Sequence, residues 1–209
     1  MKKIFGGIKF VFDSIFRWIV RTALWLYCLL IYRYKAIGKE NIPKDGAVII
    51  CGNHRTFLDA PLIVISNKRF VHFMAKDELK KNPLVRFVAY LFQVVYVKRN
   101  EKDVGALKQS LKRLKNGEVL GIFPEGTRHG FDKGEGKIKG GAAYLAIKTN
   151  ATIVPVGIYG GERPFKRIYV HYGEPVNYKE MFKDEDEKVV TEKANEDLKN
   201  RILELTKEN

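Results

Sequence analysis

The sequence predicts an α/β fold, a central mostly parallel or mixed sheet flanked by helices, preceded by an N-terminal amphipathic helical membrane-docking element. From Gly46 onward, short apolar runs alternate with stretches of helical periodicity. Several runs are apolar throughout, which is typical of strands covered on both faces. Strands separated by helices of this size indicate one α/β domain, which we place at residues 41–209, after a docking segment at 1–40.

Six apolar runs are expected to form the strands: 47–51, 70–75, 94–97, 118–123, 151–159 and 167–172. The clearest helix between them covers 101–115, and the dipeptide "NG" ends it. Lysines occupy one side of this helix, and the apolar positions that recur at three and four residues are Val104, Leu107, Leu111 and Leu114. Residues 178–209 are expected to form a terminal helix with its charges in solvent.

The first 35 residues combine large apolar side chains with spaced cations. No short apolar stretch ends in a small-residue cleavage site, so a signal peptide is not indicated. The longest uncharged run, Thr22 to Tyr32, has 11 residues, and a spanning helix needs about 20. This pattern favours helices that lie in the membrane interface, with cations on anionic headgroups. An ordinary core helix is the alternative.

The charge distribution indicates an anionic partner. The 209-residue chain carries a formal net charge of +14, with +6 in residues 1–46 and +9 in residues 66–116. Residues 178–209 carry −3, so the C-terminal end is expected to face away from the anion. The two cysteines, Cys28 and Cys51, are too few for a disulfide framework. Packing is their expected role, although Cys51 lies close enough to His54 in sequence for a nucleophilic thiol to be the alternative.

The stretch "NHRTFLD" follows the first predicted strand and places His54 five residues before Asp59. On a helix this offset would separate the two side chains by about 140°, so they can meet only through a loop. A purely structural role is the alternative, because Thr56 and Asp59 fit a Thr-x-x-Asp capping pattern before an apolar helix. The local pattern leaves the two roles open.

Further polar motifs follow other predicted strands. "FPEGTRHG" (123–130) places Glu125 and Arg128 on a loop at a strand end, where open α/β sheets bind their ligands. "VYVKRN" (95–100) ends in Lys98 and Arg99, and "KIKGG" (137–141) begins a helix with Lys139. Three cationic ends could therefore converge on one anion.

The order "NHRTFLD", "VYVKR", "FPEGTR" and "IVPVGI" resembles the four sequence blocks of the glycerolipid acyltransferases of the His-x4-Asp type. Over residues 47–159 it is most similar to the bacterial 1-acyl-sn-glycerol-3-phosphate acyltransferases. Arg99 matches the basic residue of the second block, and Pro155 matches the proline of the fourth. Lys98 departs from the family, whose members often have an acidic residue there, and leaves open whether Lys98 or Arg99 enters the site.

The resemblance implies transfer of an acyl chain from acyl-CoA or acyl carrier protein to the sn-2 hydroxyl of lysophosphatidate, without a covalent enzyme intermediate. The product is phosphatidate, a precursor in phospholipid biosynthesis. His54 would be the general base and Asp59 its carboxylate partner. No cofactor and no metal are expected, since the thioester is a co-substrate.

The resemblance also assigns the remaining site residues. Arg99, Arg128 and Lys139 would bind the substrate phosphate, and Glu125, Gly126 and Thr127 would belong to the acceptor site. Backbone amides near Gly126 or in the helix after His54 are candidate oxyanion donors. The N-terminal element resembles the family's membrane-docking element, which implies peripheral, monotopic attachment to the cytoplasmic face of the cell membrane.

Other functional classes explain the sequence less well. No His-x-x-x-His or Cys-x-x-Cys pair indicates a metal-dependent hydrolase, and Gly-x-Ser-x-Gly is absent. Nucleic-acid binding would account for the charge but for neither the Trp- and Leu-rich N-terminus nor the Glu-Gly-Thr-Arg loop. An acyltransferase acting on another lyso-lipid and a non-catalytic membrane-binding protein remain the alternatives.

Overall fold

The computed structural model describes residues 2–98, 103–128, 131, 138, 140–161 and 163–207. In that part of the chain, seven strands form one sheet with the order β1-β7-β6-β2-β5-β3-β4. The strands are β1 (Lys35–Ile37), β2 (Val48–Gly52), β3 (Val71–Lys76), β4 (Val95–Val97), β5 (Val119–Ile122), β6 (Thr152–Gly160) and β7 (Ile168–Tyr172). All neighbouring strands are parallel except β6 and β7, which form an antiparallel hairpin. The predicted fold class is therefore confirmed.

The helices cover both faces of this sheet. They are α1 (Lys2–Tyr32), α2 (Asp59–Ser66), α3 (Pro83–Leu91), α4 (Val104–Lys115), α5 (Gly141–Thr149), α6 (Tyr178–Met181) and α7 (Glu187–Leu205), with short 3₁₀ turns at Lys39–Asn41 and Asp77–Lys81. One core packs α1 and α2 against the sheet, and a second core on the other face packs α4, α5 and α7. Strands that are buried on both sides, such as β2, are accordingly apolar at every position.

Three elements differ in detail from the prediction. The sheet includes β1, which pairs in parallel with β7 and begins before residue 41. Its three residues are too few to show a strand pattern, so only the pairing reveals it. The helix predicted at 101–115 begins at Val104, because the Asp103 side chain accepts the Ala106 N–H and caps it. The predicted terminal helix is divided into α6 and α7, and Asp186 caps the second.

The N-terminal segment forms one continuous helix rather than several. Three of its polar side chains contact the rest of the protein: the Arg21 guanidinium donates to the Asn67 carbonyl oxygen, Arg17 lies 4.5 Å from the Phe70 ring centroid, and Asp13 accepts a 2.8 Å hydrogen bond from Tyr90. The opposite side exposes large apolar side chains, among them Val11, Phe12, Ile15, Trp18, Ile19, Leu26 and Leu30. By length and composition alone, Val11–Tyr32 is sufficient to cross a membrane. An exposed apolar helix face of this size indicates membrane association.

Candidate active site

The predicted motifs meet at the carboxyl ends of the central strands. The loop that contains "NHRTFLD" follows β2, and "FPEGTR" follows β5. β2 lies between β5 and β6 and is parallel to both. The two loops therefore leave the same edge of the sheet side by side, which is the usual ligand-binding edge of an open α/β sheet.

His54 and Asp59 form a hydrogen-bonded pair. The distance from His54 Nδ1 to Asp59 Oδ2 is 2.8 Å. The Asp59 side chain is fully buried, whereas the His54 side chain keeps 23% of its surface exposed. Because Nδ1 is occupied by the carboxylate, Nε2 is the ring nitrogen that can act on a substrate. The predicted meeting of the two side chains through a loop is thus present.

The Asp59 carboxylate also holds the loop together. Oδ2 accepts the backbone N–H groups of Arg55 at 2.6 Å and Thr56 at 2.7 Å, and Oδ1 accepts the Thr56 hydroxyl at 3.1 Å. These bonds close the turn before α2 rather than cap the helix, because α2 begins at Asp59 with Leu58 at its N-cap and has no side-chain cap bond. The same carboxylate therefore pairs with His54 and orders the preceding loop, for which it has enough acceptor sites.

Two residues that support His54 were not singled out from the sequence. The Asn53 side chain donates to the Ile158 carbonyl at 2.8 Å and accepts its N–H at 2.7 Å, which ties the start of the loop to β6. The Phe123 ring stacks on the His54 ring with centroids 4.2 Å apart. Each is the first residue of one of the two motifs, directly after a strand, so this position in the sequence was the available signal.

Glu125 connects the two loops through backbone groups. Its Oε1 accepts the His54 N–H and its Oε2 accepts the Phe131 N–H, each at 2.8 Å. The side chain is buried and borders the cleft beside His54. Gly126 has φ +64°, a conformation that favours glycine, and its N–H donates to the Phe123 carbonyl. The sequence had left open whether this amide is an oxyanion donor. In the structure the Gly126 N–H is engaged in a turn instead.

The cations predicted for the phosphate lie partly within the described chain. Arg128 is exposed, and its guanidinium lies 3.9 Å from the Phe57 ring centroid, which places it against the end of the His54 loop, just before α2. Thr127 precedes it and is half-buried. Arg99 and Lys139 are outside the described residues. The Lys98 side chain is exposed, and the backbone N–H of Lys98 donates to the Asp103 carboxylate.

A cleft of about 810 Å³ opens beside His54 and Glu125. Four cations that the sequence analysis did not single out line it: Arg55, Arg163, Lys166 and Arg167. Arg55 Nη1 donates to the Gly160 carbonyl at 3.0 Å and so joins the His54 loop to the β6–β7 hairpin. The sequence could not indicate this, because the hairpin lies more than a hundred residues from His54.

A thiol nucleophile does not fit this site. Cys51 is fully buried in the core beneath the loop, and burial raises the pKa of its thiol far above the ordinary value. The packing role predicted for it is confirmed. Within the described ranges, no group of three or more His, Cys, Asp or Glu side chains is arranged to hold a metal ion.

A family model described as "Acyltransferase" matches residues 33–159, more than half of the chain. The chain belongs to the acyltransferase family. The match spans β1 to β6 and therefore includes both loops of the candidate site.

Three relatives of this acyltransferase share nearly the same functional description. It is 32% identical to a 1-acyl-sn-glycerol-3-phosphate acyltransferase of Borreliella burgdorferi over 74% of this chain and 61% of that protein. A Bacillus subtilis protein with the same description is 31% identical over 68% of this chain and 73% of that one. The crystal structure of the 1-acyl-sn-glycerophosphate (LPA) acyltransferase PlsC from Thermotoga maritima is similar over 99% of this chain and 90% of that one, with 26% identity and a TM-score of 0.69.

Proposed function

We propose that this acyltransferase moves a fatty acyl group from acyl-CoA or acyl carrier protein to the sn-2 hydroxyl of lysophosphatidate, forming phosphatidate. The observation that carries the proposal is the His54–Asp59 pair, 2.8 Å apart, beside a cationic cleft. The names of the relatives support this choice of acceptor. An acyltransferase with another lyso-lipid acceptor is the second candidate, since the same pair would serve it.

The chemistry requires a base, because a glycerol hydroxyl is a weak nucleophile at neutral pH. Neutral His54 takes the hydroxyl proton on Nε2 while the hydroxyl oxygen attacks the thioester carbonyl carbon. Asp59 fixes the tautomer with the Nδ1 proton and stabilises the imidazolium that forms. The tetrahedral intermediate then collapses, the C–S bond breaks, and the imidazolium returns the proton to the departing thiolate. No covalent bond to the enzyme forms at any step.

The lysophosphatidate phosphate is assigned to Arg128, together with Arg99 and Lys139. Arginine suits this role because its planar guanidinium can bind two phosphate oxygens at once. Stacking on Phe57 supports the assignment, since it restricts the Arg128 side chain before substrate binds. Glu125, Gly126 and Thr127 complete the proposed acceptor site, in which Glu125 keeps the two loops in register.

Attachment is proposed to be peripheral, at the cytoplasmic face of the cell membrane. The contacts of α1 support this arrangement, because Arg17 and Arg21 dock on the catalytic domain. A helix that crossed the bilayer would have to give up these contacts and place both cations in hydrocarbon, at a cost of about 2.5–3.5 kcal/mol each. Lying in the interface, the helix can bury its apolar face and keep its polar face on the domain.

The acceptor is tested with purified protein, one acyl-CoA donor and a panel of monoacyl acceptors. We expect lysophosphatidate to be acylated with a higher kcat/KM than lysophosphatidylcholine, lysophosphatidylglycerol or monoacylglycerol. Preference for one of the other lyso-lipids would replace the proposed acceptor. The assay is then repeated with an acyl thioester of acyl carrier protein as donor. Absence of transfer to every acceptor with both donors would refute the proposed activity.

Membrane attachment is tested on the exposed side of α1 by replacing Ile15, Trp18 and Leu30 together with glutamine. Deleting the whole helix would be a poorer test, because Cys28 is fully buried in the core and its loss would open a cavity. We expect the triple variant to stay folded and to be released from anionic vesicles in a sedimentation assay. Undiminished binding would contradict the assignment of this face to the bilayer.

A further inference from the structure

The turn of the β6–β7 hairpin carries an unusual set of exposed side chains. Residues 163–167, the hairpin tip, have the sequence "RPFKR". Arg163, Lys166 and Arg167 are exposed and also line the cleft that contains His54. Between them, Phe165 exposes 70% of its surface. An exposed aromatic ring among cations is the composition of a membrane-interface segment rather than of an ordinary soluble turn.

The backbone of the tip is held against the membrane-associated helix. The Phe165 N–H donates a 2.6 Å hydrogen bond to the carbonyl of Ile31, in the last turn of α1. The neighbouring Leu30 side chain is 66% exposed and belongs to the apolar face of that helix. The hairpin tip is therefore adjacent to the surface that we assign to the bilayer.

Phe165 also has a conformation that its side chain does not favour. Its φ of +67° lies in the left-handed region, which is rare for a bulky residue. Glycine or asparagine would adopt this conformation at lower energetic cost, and a polar side chain would suit an exposed position better. Neither folding nor solubility accounts for a phenylalanine here, whereas insertion into a lipid layer does.

We propose that the hairpin tip is a second lipid-binding element, in which Phe165 enters the headgroup boundary and Arg163, Lys166 and Arg167 bind anionic headgroups. The cleft beside His54 then opens directly onto the leaflet. The same three cations face both the bilayer and the cleft. The phosphate of a lipid can therefore move from the bilayer surface into the cleft while it stays in contact with them, without crossing bulk water. Entry of the lipid phosphate into the cleft rests on the proposed function, whereas binding of the hairpin tip to the bilayer does not.

We infer that the hairpin tip binds a bilayer because it carries exposed cations and adjoins the apolar face of α1. Anionic lipids attract exposed cations near the surface, and a neighbouring apolar helix face already requires an apolar environment. An anionic acyl donor is the competing occupant of the same cations. It would account for the three charges but leaves the exposed Phe165 ring, which does not line the cleft, without a role.

The experiment measures binding of the full chain to vesicles of phosphatidylcholine, with and without phosphatidylglycerol. One variant is Phe165→Asn, which removes the ring and suits the left-handed backbone, so it should stay folded. The other replaces Arg163, Lys166 and Arg167 with glutamine. The matched control replaces Lys108, Lys112 and Lys115 with glutamine, since these exposed α4 lysines lie on the helical layer across the sheet from α1.

We expect Phe165→Asn to weaken binding to both vesicle types by about tenfold, the contribution of a large apolar side chain. The hairpin triple variant should lose about fivefold per cation, only on vesicles that contain phosphatidylglycerol. The α4 control should bind as the unmodified protein does. Phe165→Trp should restore binding, because it returns a large ring to the same position.

The inference is overturned if Phe165→Asn and the hairpin triple variant bind both vesicle types as tightly as the α4 control. It is also overturned if the triple variant keeps vesicle binding but raises the KM of the thioester donor, which would assign the cations to the donor. Vesicle binding needs no catalysis, so the binding results test the hairpin tip whether or not the proposed acyl transfer is found.

Discussion

Two histidine–carboxylate pairs of similar length lie at different places in this molecule. His54 Nδ1 is 2.8 Å from Asp59 Oδ2 at the carboxyl end of β2, and His72 Nε2 is 3.0 Å from Glu118 Oε2 near the amino ends of β3 and β5. In the first pair the carboxylate is fully buried and the imidazole is partly exposed. In the second pair the imidazole is buried, and the carboxylate is about one-third exposed.

The surroundings give the two pairs different chemistry. Asp59 receives two backbone N–H groups in addition to His54, so the carboxylate is fixed while Nε2 stays available to a substrate. Glu118 is shared with Arg113 at 2.7 Å, and Arg113 also lies 3.1 Å from His72 Nε2. Burial, with a further contribution from Arg113, lowers the pKa of His72 to about 4. A close histidine–carboxylate contact is therefore not enough to form a catalytic base.

The sharpest test of this difference makes the same chemical change in both pairs. Asp59→Asn keeps the shape and an acceptor oxygen but removes the charge that stabilises the His54 imidazolium. We expect kcat to fall by on the order of 10²–10³, within the range of a general base. Glu118→Gln, the matched control, should leave kcat unchanged. Initial rates at saturating substrate provide the measurement, with circular dichroism to confirm folding.

Equal activity losses in Asp59→Asn and Glu118→Gln would mean that both act through stability, and the catalytic role of Asp59 would be wrong. A decrease of the thermal midpoint by a few degrees is expected for Asp59→Asn, because its hydrogen bonds lose their charge-assisted strength. Loss of activity at a temperature where the variant is fully folded separates the two effects.

Arg128, which stacks on Phe57, and Arg113, which contacts His72, should also behave differently. Arg128→Gln should lower kcat/KM for lysophosphatidate by about ten- to a hundredfold, the equivalent of one charged hydrogen-bonding partner. The same variant should acylate a phosphate-free monoacyl acceptor about as well as the unmodified protein. Arg113→Gln, next to His72, should change stability without changing this preference. A similar loss with both acceptors in Arg128→Gln would show that Arg128 does not bind the phosphate.

His72 should also make the stability of the protein depend on pH. Its pKa is about 4 when folded and about 6.5 when unfolded, so between these values only the unfolded chain takes up the proton. Stability should therefore fall as the pH decreases from 6.5 to 4, by about 3 kcal/mol at most. Thermal unfolding of His72→Gln should show a shallower slope over this interval. Identical slopes in the two proteins would contradict a buried, neutral His72.

The secondary structure was largely predictable because periodicity is a local property. Six strands and the amphipathic helix before Asn116 follow from the spacing of apolar residues, and the structure confirms them within a few residues. β1 was missed because three residues carry no periodic signal, and its position depends on pairing with β7. The division between α6 and α7 was likewise not visible in a segment dominated by charged residues.

The candidate site was predictable where chemistry is concentrated in short motifs. "NHRTFLD" and "FPEGTR" identified His54, Asp59, Glu125 and Arg128 because their spacing resembles the family's blocks. Phe123 and Asn53 were missed, since an aromatic or amide residue at a strand end has many possible roles. Only the stacking on His54 and the paired hydrogen bonds to β6 distinguish them.

By itself, the sequence determined which residues are available for acid–base and phosphate chemistry, and which segments form helices and strands. The tertiary structure decided which side of α1 faces the protein: Arg17 and Arg21 dock inward and the apolar face is exposed, the reverse of a soluble amphipathic helix. It also decided that the tip of the β6–β7 hairpin lines the cleft beside His54. Periodicity specifies that a helix has two faces, but contacts between distant segments select the face that is buried, because burial depends on the whole packed arrangement.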